Sequence, residues 1–362
     1  MFGEENGGRG LKLAHHFLCR ASSTPPGRLL ACVGLLLLLV TPDPARGQSV
    51  KTFPGEGLHA MLAFEDSWPQ PSDMDANDVV IRYQVHVTLQ GRRETTIPEM
   101  RFVFGVEALG TEQANGLALR LGISRSDLQN AWITRSDGSA TPVKPLTHSG
   151  GDGTEDLIFV LYEDLRAAFP ADSGDFVNTQ PGQPIHQGES LDLSIVFKQP
   201  LSSASGVATA PYDIFIFRSA NYAHQTHLPE FDHSASGGAN LFGSEEDCSN
   251  QICTAPDGTA VDNSDRFYIT RQGLPWAVAF PRASAWPQEG VPIDQAYPHL
   301  LTYIHSLGTL GGDWWKQGDS SQLFAPIVAT PSLSRWAIGA LMGALAGLGF
   351  LGLRRSYPLL SR

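Results

Sequence analysis

The segment Val79–Leu89 alternates apolar and polar side chains at every second position. Its apolar positions are Ile81, Tyr83, Val85, Val87 and Leu89. Its polar positions are Arg82, Gln84, His86 and Thr88. Alternation with a period of two is typical of a β-strand with one buried and one solvated face. The segment therefore predicts a strand, and it restricts the fold to architectures in which a sheet covers a core.

The same alternation recurs in three other segments, Met100–Val106, Leu117–Ile123 and Leu191–Phe197. Shorter β-rich runs occupy residues 157–162, 213–217 and 267–270. Helical signals are few: Ser126-Asp127 predicts the cap of one short helix, and Glu163–Phe169 predicts one or two turns. We therefore expect an all-β fold, mainly an antiparallel β-sandwich with long loops and few short helices. A stretch rich in Ser and Ala, residues 200–211, is a candidate internal domain boundary.

The N-terminal region has the pattern of a secretory signal peptide. Basic residues precede the apolar run Leu29–Val40, and the small-residue pattern Ala45-Arg46-Gly47 follows it. The alternative is a membrane anchor, but 12 residues extend only about 18 Å as a helix, against a hydrocarbon core of about 30 Å. We expect a signal peptide over residues 1–47, with cleavage after Gly47.

The C-terminal region contains an uncharged segment, Trp336–Leu353, which is followed by Arg354 and Arg355. Its 18 residues suffice for one transmembrane helix, and the arginine pair is expected on the cytoplasmic side. Between the two ends, residues 48–330 hold 34 acidic and 16 basic residues. This acidic balance argues against nucleic acid as a partner, because phosphate backbones repel a negatively charged protein.

Two cysteines, Cys248 and Cys253, lie in the expected mature chain. In an exported protein such a pair predicts a disulfide, which here would close a short surface loop. The alternative is a zinc site that includes His233, but the sequence offers few further ligands at suitable spacing.

An acidic segment immediately precedes the predicted strand at Val79. It contains Asp73, Asp75, Asn77 and Asp78, and Glu65-Asp66 lies just upstream. Oxygen ligands at alternate positions on a turn suit Ca²⁺, a hard cation that takes about 6–8 oxygen ligands.

This segment is not an EF-hand loop, because its sixth position is Asp78 instead of Gly and its twelfth is Gln84 instead of Glu. A calcium site would need distant ligands, for which Asp66 and Asp313 are the candidates. The alternative is a turn in which the carboxylates cap backbone N–H groups.

Four tryptophans have two interpretations. They are Trp276, Trp286, Trp314 and Trp315. An exposed set would form a sugar-binding platform, whereas a buried set would belong to the core. The chain has no Gly-x-Ser-x-Gly, His-Glu-x-x-His or P-loop motif, so we do not expect an enzyme. A carbohydrate-binding module remains the alternative function, and a secreted glycan hydrolase is a weaker one.

The C-terminal region resembles the IPTL-CTERM sorting tails of Gram-negative bacteria. The matching positions are Pro331, Leu333, Ser334, Trp336, Arg354 and Arg355. The resemblance implies export, temporary anchoring and recognition by a sorting machinery. Thr330 and Ser332 differ from the Ile and Thr of that pattern, and seven residues follow the arginine pair.

Residues 58–318 resemble LruC-domain proteins. The resemblance rests on motifs in a fixed order, Phe64–Pro69 with Ser72–Val80, His227–Pro229, Leu241–Gly243, Gly273–Ala277, Tyr297–His299 and Asp313–Trp315. It implies an exported bacterial protein whose molecular function is uncharacterised.

These observations divide the chain into six segments. They are a signal peptide (1–47), a short linker (48–57), the LruC-like β domain (58–318), a linker with the sorting motif (319–335), a transmembrane helix (336–353) and a basic cytoplasmic tail (354–362). We expect an exported, acidic, calcium-stabilised protein of the cell envelope or outer surface, with a structural or adhesive role. Its expected partners are the membrane, the sorting machinery and a glycan or surface molecule.

Overall fold

The computed structural model describes residues 48–149, 155–233, 238–255, 258 and 260–324. The predicted signal peptide, the sorting motif and the transmembrane segment 336–353 lie outside these residues. Among the residues that are described, no helix has both the length and the apolar character needed to cross a membrane.

Strands dominate the described residues. The eighteen strands found there are β1 (Gln48–Phe53), β2 (Ala60–Phe64), β3 (Val79–Gln90), β4 (Thr96–Gly110), β5 (Asn115–Leu121), β6 (Leu128–Arg135), β7 (Ala140–Pro142), β8 (Leu146–Ser149), β9 (Glu155–Tyr162), β10 (Phe176–Val177), β11 (Ser190–Ser202), β12 (Asp213–Arg218), β13 (Asn221–Thr226), β14 (Ile252–Thr254), β15 (Ala260–Asp262), β16 (Ala277–Phe280), β17 (Trp286–Pro287) and β18 (Leu323–Phe324).

Helical structure is short. Two α-helices are described, α1 (Ile293–Ala296) and α2 (Leu300–His305). Three 3-10 turns accompany them, at Leu165–Ala168, Gly238–Leu241 and Trp314–Lys316. The predicted turn within Glu163–Phe169 is confirmed, and Asp164 caps it by accepting a hydrogen bond from Arg166 N.

Two antiparallel sheets form the body. The larger sheet has nine strands in the order β16-β2-β3-β4-β11-β6-β7, with β1 also paired to β3 and β10 to β4. The smaller sheet has five strands in the order β13-β12-β5-β9-β8. Strand β12 follows residues 200–211 but pairs with β5, which precedes them. The structure therefore continues the same pair of sheets across this segment and places no domain division there.

The main core lies between the two sheets. It joins Val85 and Phe102 of the larger sheet to Leu119, Phe159 and Ile214 of the smaller one. The expected antiparallel β architecture is confirmed, and β3 runs from Val79 to Gln90, one residue beyond the predicted strand. The apolar positions of the four alternating segments lie within the main core because each strand directs every second side chain toward it.

The predicted polar face of β3 is less solvated than expected. Gln84 and Thr88 are buried, and Gln84 Nε2 donates to the carbonyl oxygens of Gly55 (3.0 Å) and Leu58 (2.6 Å). The β1–β2 connection covers this face, and the buried Gln84 amide is satisfied by the carbonyls of that loop. Alternation identified the strand correctly, but it could not show which other segment lies against its second face.

The predicted helix after Ser126-Asp127 is wrong. Asp127 Oδ2 accepts hydrogen bonds from Ser124 N and Ser124 Oγ, both at 2.9 Å, and so caps a turn. Strand β6 then begins at Leu128 and pairs with β11. An Asp favours turns as well as helix N-termini, and here the pairing with β11 decided between them.

A second core lies on the outer face of the larger sheet, where α1 and α2 pack. Its largest members are Phe280, Trp286, Tyr297 and Trp314. Trp276 is also fully buried, beside Trp68 and Tyr268, whereas Trp315 is half-buried under Lys316. The core interpretation is thus confirmed for three of the four tryptophans, and the exposed sugar platform is not formed.

Candidate metal centre

The acidic segment is the connection between β2 and β3, which are neighbours in an antiparallel pair. Phe64, the last residue of β2, pairs with Val79, the first residue of β3. The residues just after β2 therefore lie against those just before β3, and Asp66 N donates to Asp78 Oδ2 at 2.8 Å. Within the connection, Met74 and Ala76 have left-handed backbone conformations (φ 56° and 51°), which fold the loop tightly.

Three carboxylates meet in this connection. One oxygen from each of Glu65, Asp73 and Asp75 lies within 4.8 Å of the others. Glu65 and Asp75 are buried, whereas Asp73 is exposed. We call these three residues the carboxylate cluster. Part of it is therefore removed from water while one member remains accessible from outside.

Hydrogen bonds hold the cluster but leave one oxygen without a partner. Glu65 Oε1 accepts from Ala76 N at 2.6 Å. Asp75 accepts from Asn77 N at 3.1 Å, from Asn77 Nδ2 at 2.8 Å and from Gly290 N at 2.8 Å. Glu65 Oε2 is buried and has no hydrogen-bond partner of good geometry, although the nearby Ser72 hydroxyl favours the charged carboxylate.

Burial raises the pKa values of these carboxyl groups. The pKa of Glu65 is raised to about 7 by burial and by the charges of Asp73 and Asp66. The pKa of Asp75 is raised to about 9 by burial and by Glu65 and Asp73. Burial, with Glu65 and Asp66 as neighbours, also raises the pKa of Asp78. Among the described residues, no basic side chain forms an ion pair with Glu65, Asp75 or Asp78.

The residues fit a hard divalent cation. The cluster offers carboxylate oxygens from three side chains, and one of those oxygens, Glu65 Oε2, has no donor. Ca²⁺ prefers this donor set, and a bound cation would offset the like-charge repulsion that adds to the effect of burial on these pKa values. The same contacts also include capped backbone N–H groups, as the turn interpretation expects.

The structure places only some of the predicted calcium ligands in the cluster. Asp73 and Asp75 are in the cluster. Asn77 lies beside it, where its Nδ2 bonds to Asp75 and to Pro287 O at 3.2 Å, and its buried Oδ1 has no partner. One oxygen of Asp78, Oδ2, accepts the hydrogen bond from Asp66 N.

Asp66 and Asp313 lie outside the cluster. Asp66 is buried, and its Oδ2 accepts from Thr111 Oγ1 at 2.8 Å and from Asn115 Nδ2 at 2.6 Å. Asp313 is exposed and accepts from Gln317 Nε2 at 2.9 Å.

Sequence reasoning placed Glu65 upstream of the site but chose its neighbour Asp66 as the ligand. Met61 and Ala63 of β2 face the second core, and Glu65 continues that face by the period of two. The signal was hidden because β2, Ala60–Phe64, is apolar on both faces. The sequence analysis also missed Glu289, whose charge helps to raise the pKa of Asp75. It lies more than 200 residues further along the chain, so no local pattern indicates it.

A cavity of about 460 Å³ borders the cluster at its exposed side. Its wall includes Ser72, Asp73, Asp294 and Trp276. The indole Nε1 of Trp276 is buried and lacks a hydrogen-bond acceptor among the described residues. Asp73, the exposed member of the cluster, is the one that lines this cavity.

The neighbouring loop is held by another buried carboxylate, Asp247. It accepts from Trp68 Nε1 at 2.8 Å and from both Ser249 N and Ser249 Oγ. The next residue, Cys248, is bonded to Cys253 with an S–S distance of 1.95 Å. The structure thus joins the two cysteines directly, next to a carboxylate whose anchoring role the sequence did not indicate.

The fold and the site together define an antiparallel β-sandwich that carries a buried carboxylate cluster in one strand connection. The chain belongs to the family described as "Domain of unknown function (DUF4842)", whose model matches residues 96–315. No curated protein matches the chain.

A solved structure shares the fold. It is the crystal structure of a "Putative lipoprotein" from Bacteroides ovatus, similar with a TM-score of 0.53 and 16% sequence identity, over 76% of this chain and 75% of that chain. At this level of identity the likeness shows a common fold.

Proposed function

We propose that this protein is an exported, acidic, calcium-stabilised protein of the cell envelope or surface, with a structural or adhesive role. The observation that carries the proposal is the carboxylate cluster, in which buried Glu65 Oε2 has no hydrogen-bond donor of good geometry and no described basic side chain forms an ion pair. An isolated buried carboxylate is costly, so such a cluster needs either protons or a cation.

Calcium would act here as a clamp. Bound by Glu65, Asp73 and Asp75, it neutralises the cluster and secures the β2–β3 connection. Asp75 already bonds to Gly290 N, so the clamp also supports the loop that leads into α1. A ligand that binds only the folded state raises stability by mass action, and calcium supplied outside the cell would therefore keep the exported protein folded.

The envelope location rests on the signal-peptide pattern of residues 1–47 and on the sorting-tail resemblance of residues 331–355. The description of the Bacteroides ovatus neighbour as a lipoprotein agrees with it. In this proposal residues 336–353 cross the membrane, at least transiently, and a sorting machinery recognises the motif at Pro331–Trp336. The assignment of residues 58–318 to the LruC domain belongs to the same proposal.

The proposal is tested by thermal melting of the full-length chain in a neutral detergent, first in excess EDTA and then in millimolar CaCl₂. We expect calcium to raise the melting temperature by several degrees. The double variant Asp73→Asn/Asp75→Asn is expected to lose this response. A control with the same change in charge, Glu56→Gln/Asp172→Asn, alters exposed acids elsewhere and should keep it.

A second variant separates calcium binding from a general loss of stability. Glu65→Gln keeps the shape of the side chain but removes its charge, so in EDTA at pH 8 it should melt higher than the natural sequence. The same variant should respond less to calcium, because a charged ligand is missing. If the natural protein melts identically with EDTA and with CaCl₂, the calcium proposal is wrong and the segment is a capped turn.

Glycan binding is a second candidate function, supported by the cavity beside the cluster. Trp276 forms part of its wall, and acidic and amide groups such as Asp294, Gln272 and Gln295 line the rest. Quenching of tryptophan fluorescence by a set of glycans, with and without calcium, tests this role. Saturable quenching that Trp276→Phe abolishes would support it, whereas unchanged fluorescence would leave the structural role.

A further inference from the structure

A second cavity, of about 440 Å³, lies between the β14–β15 hairpin and α2. Its wall includes Val261, Asn263, Arg266, Ile304, His305 and Leu307. It shares no lining residue with the cavity beside the carboxylate cluster, and it is lined by residues 260–307, within the span matched by the family model. We call it the hairpin cavity.

Asn263 places an unsatisfied amide at this cavity. The residue is fully buried, and neither Oδ1 nor Nδ2 has a hydrogen-bond partner among the described residues. Its backbone is anchored, because Asn263 N donates to Gln251 O at 3.0 Å and its carbonyl accepts from Arg266 N at 2.9 Å. Burial of an amide without hydrogen-bond partners destabilises the fold, so the cavity is expected to hold something that bonds to it.

Arg266 adds an unpaired cation beside this amide. Its guanidinium forms no hydrogen bond or ion pair with the described residues, whereas five other arginines pair with carboxylates. Burial lowers the pKa of Arg266, and the one charge that opposes this effect is Glu230. The acid on the cavity wall, Asp262, is engaged by Ser264 N at 3.0 Å.

Apolar side chains and His305 form much of the remaining wall. Leu307, at the edge of the cavity, is 74% exposed, and Ile304 forms the wall beside it. His305 lies opposite, where its Nε2 is 3.0 Å from the position that a Cβ would take on Gly273. The cavity therefore combines hydrogen-bond donors for an anion, one amide acceptor and an apolar surface.

We propose that the hairpin cavity binds the C-terminal carboxylate of a peptide whose last side chain is apolar. The Arg266 guanidinium and Asn263 Nδ2 donate to the peptide carboxylate. Asn263 Oδ1 accepts from the backbone N–H of the peptide's last residue. The apolar side chain lies against Ile304 and Leu307. Arginine forms strong paired hydrogen bonds with carboxylates, which suits it to this role. The proposal does not depend on calcium binding.

The test is isothermal titration calorimetry of the full-length chain in a neutral detergent, with N-acetyl-L-leucine as the probe. N-acetyl-L-leucinamide is the matched neutral probe, because it differs only at the carboxylate. We expect saturable binding of the acid and binding of the amide at least about tenfold weaker, because the charge-assisted hydrogen bonds are lost.

Variants assign the binding to the cavity. Arg266→Gln should weaken binding of N-acetyl-L-leucine at least about tenfold, whereas the exposed Arg282→Gln should leave it unchanged. Asn263→Asp keeps the shape of the side chain and should also weaken binding, through repulsion of the carboxylate. Leu307→Ser should weaken binding of N-acetyl-L-leucine but not of N-acetylglycine. Arg266 and Leu307 are partly or largely exposed, so these variants are expected to fold.

Three results would overturn the proposal. Absence of saturable binding would mean that the cavity holds only water. Equal binding of the acid and the amide would exclude a carboxylate site. Tighter binding of D-glucuronate than of N-acetyl-L-leucine would exclude the peptide terminus in favour of an acidic sugar.

Discussion

Two regions of this molecule bury carboxylates in opposite ways. In the smaller sheet, Asp213 lies between Arg120 and His227, with its Oδ1 at 2.7 Å from His227 Nδ1 and its Oδ2 bonded to Arg120 Nε. In the β2–β3 connection, Glu65 and Asp75 lie among other acids, and no basic side chain of the described part of the chain pairs with them.

The difference shows which region balances its buried charge with its own side chains. Asp213 has a cation beside it, and His227 is enclosed between the rings of Phe215 and Tyr268, so this network needs nothing from solution. The carboxylate cluster keeps its charge only at a cost, because like charges and burial both favour protonation. At neutral pH this region is therefore expected to bind either protons or a cation.

Removal of Asp213 is expected to have the largest effect. Asp213→Ala leaves Arg120, whose side chain is 9% exposed, without its buried partner. The loss of one member of a buried ion pair costs about 3–5 kcal/mol of unfolding free energy. Urea denaturation measures the change. Asp192→Ala, which breaks the more exposed ion pair between Arg101 and Asp192, is the control and should cost less than about 1 kcal/mol.

A pH series tests the other half of the comparison. The folded-state pKa is about 7 for Glu65 and about 9 for Asp75, whereas both unfolded values are near 4. Without metal, protonation of Glu65 and Asp75 contributes to the free energy of unfolding. This contribution is fully present below about pH 4, and it is lost as the pH rises through about 7 and then about 9. Melting in EDTA should fall by several degrees from pH 5 to pH 8, and calcium at pH 8 should restore it. A flat profile in EDTA would contradict the assignment of buried, uncompensated acids.

A glycine substitution tests how closely the turn must pack. A Cβ on Gly110 would lie 1.9 Å from Asn77 Oδ1 and 2.9 Å from Asn77 O, so Gly110→Ala must displace the turn. We expect a loss of about 1–3 kcal/mol of unfolding free energy and a smaller response to calcium. Gly312→Ala is the control, since a Cβ there meets nothing within 4 Å. Equal melting of the two variants would mean that the turn adapts freely.

The smallest effect is expected at Asp313. Its side chain is exposed and bonds to Gln317, away from the cluster. Asp313→Asn should change the unfolding free energy by less than about 0.5 kcal/mol and leave the calcium response intact. A lost response would instead restore Asp313 as a ligand and would require the loop that carries it to move.

Much of the fold could be predicted because a β-strand has a local sequence pattern, the alternation of apolar and polar residues. Segments such as Val79–Leu89 and Leu191–Phe197 show which side chains face the core, and the structure places them in β3 and β11. The helix at Ser126-Asp127 was predicted wrongly because one carboxylate can cap either a helix or a turn. The candidate site was located through Asp73 and Asp75, which are close in sequence.

The sequence by itself determined the strands, the acidic balance and the position of the acidic segment, because each depends on neighbouring residues. Tertiary structure alone decided that Glu65 joins Asp73 and Asp75, that Asp66 turns to Thr111 and Asn115, and that Gly290 bonds to Asp75. It also placed Asn263 and Arg266 opposite α2. These contacts arise from strand pairing and loop packing between residues up to 215 positions apart. Such distances leave no local pattern, since a chain's periodicity reports only which face a residue occupies and not what comes to lie against it.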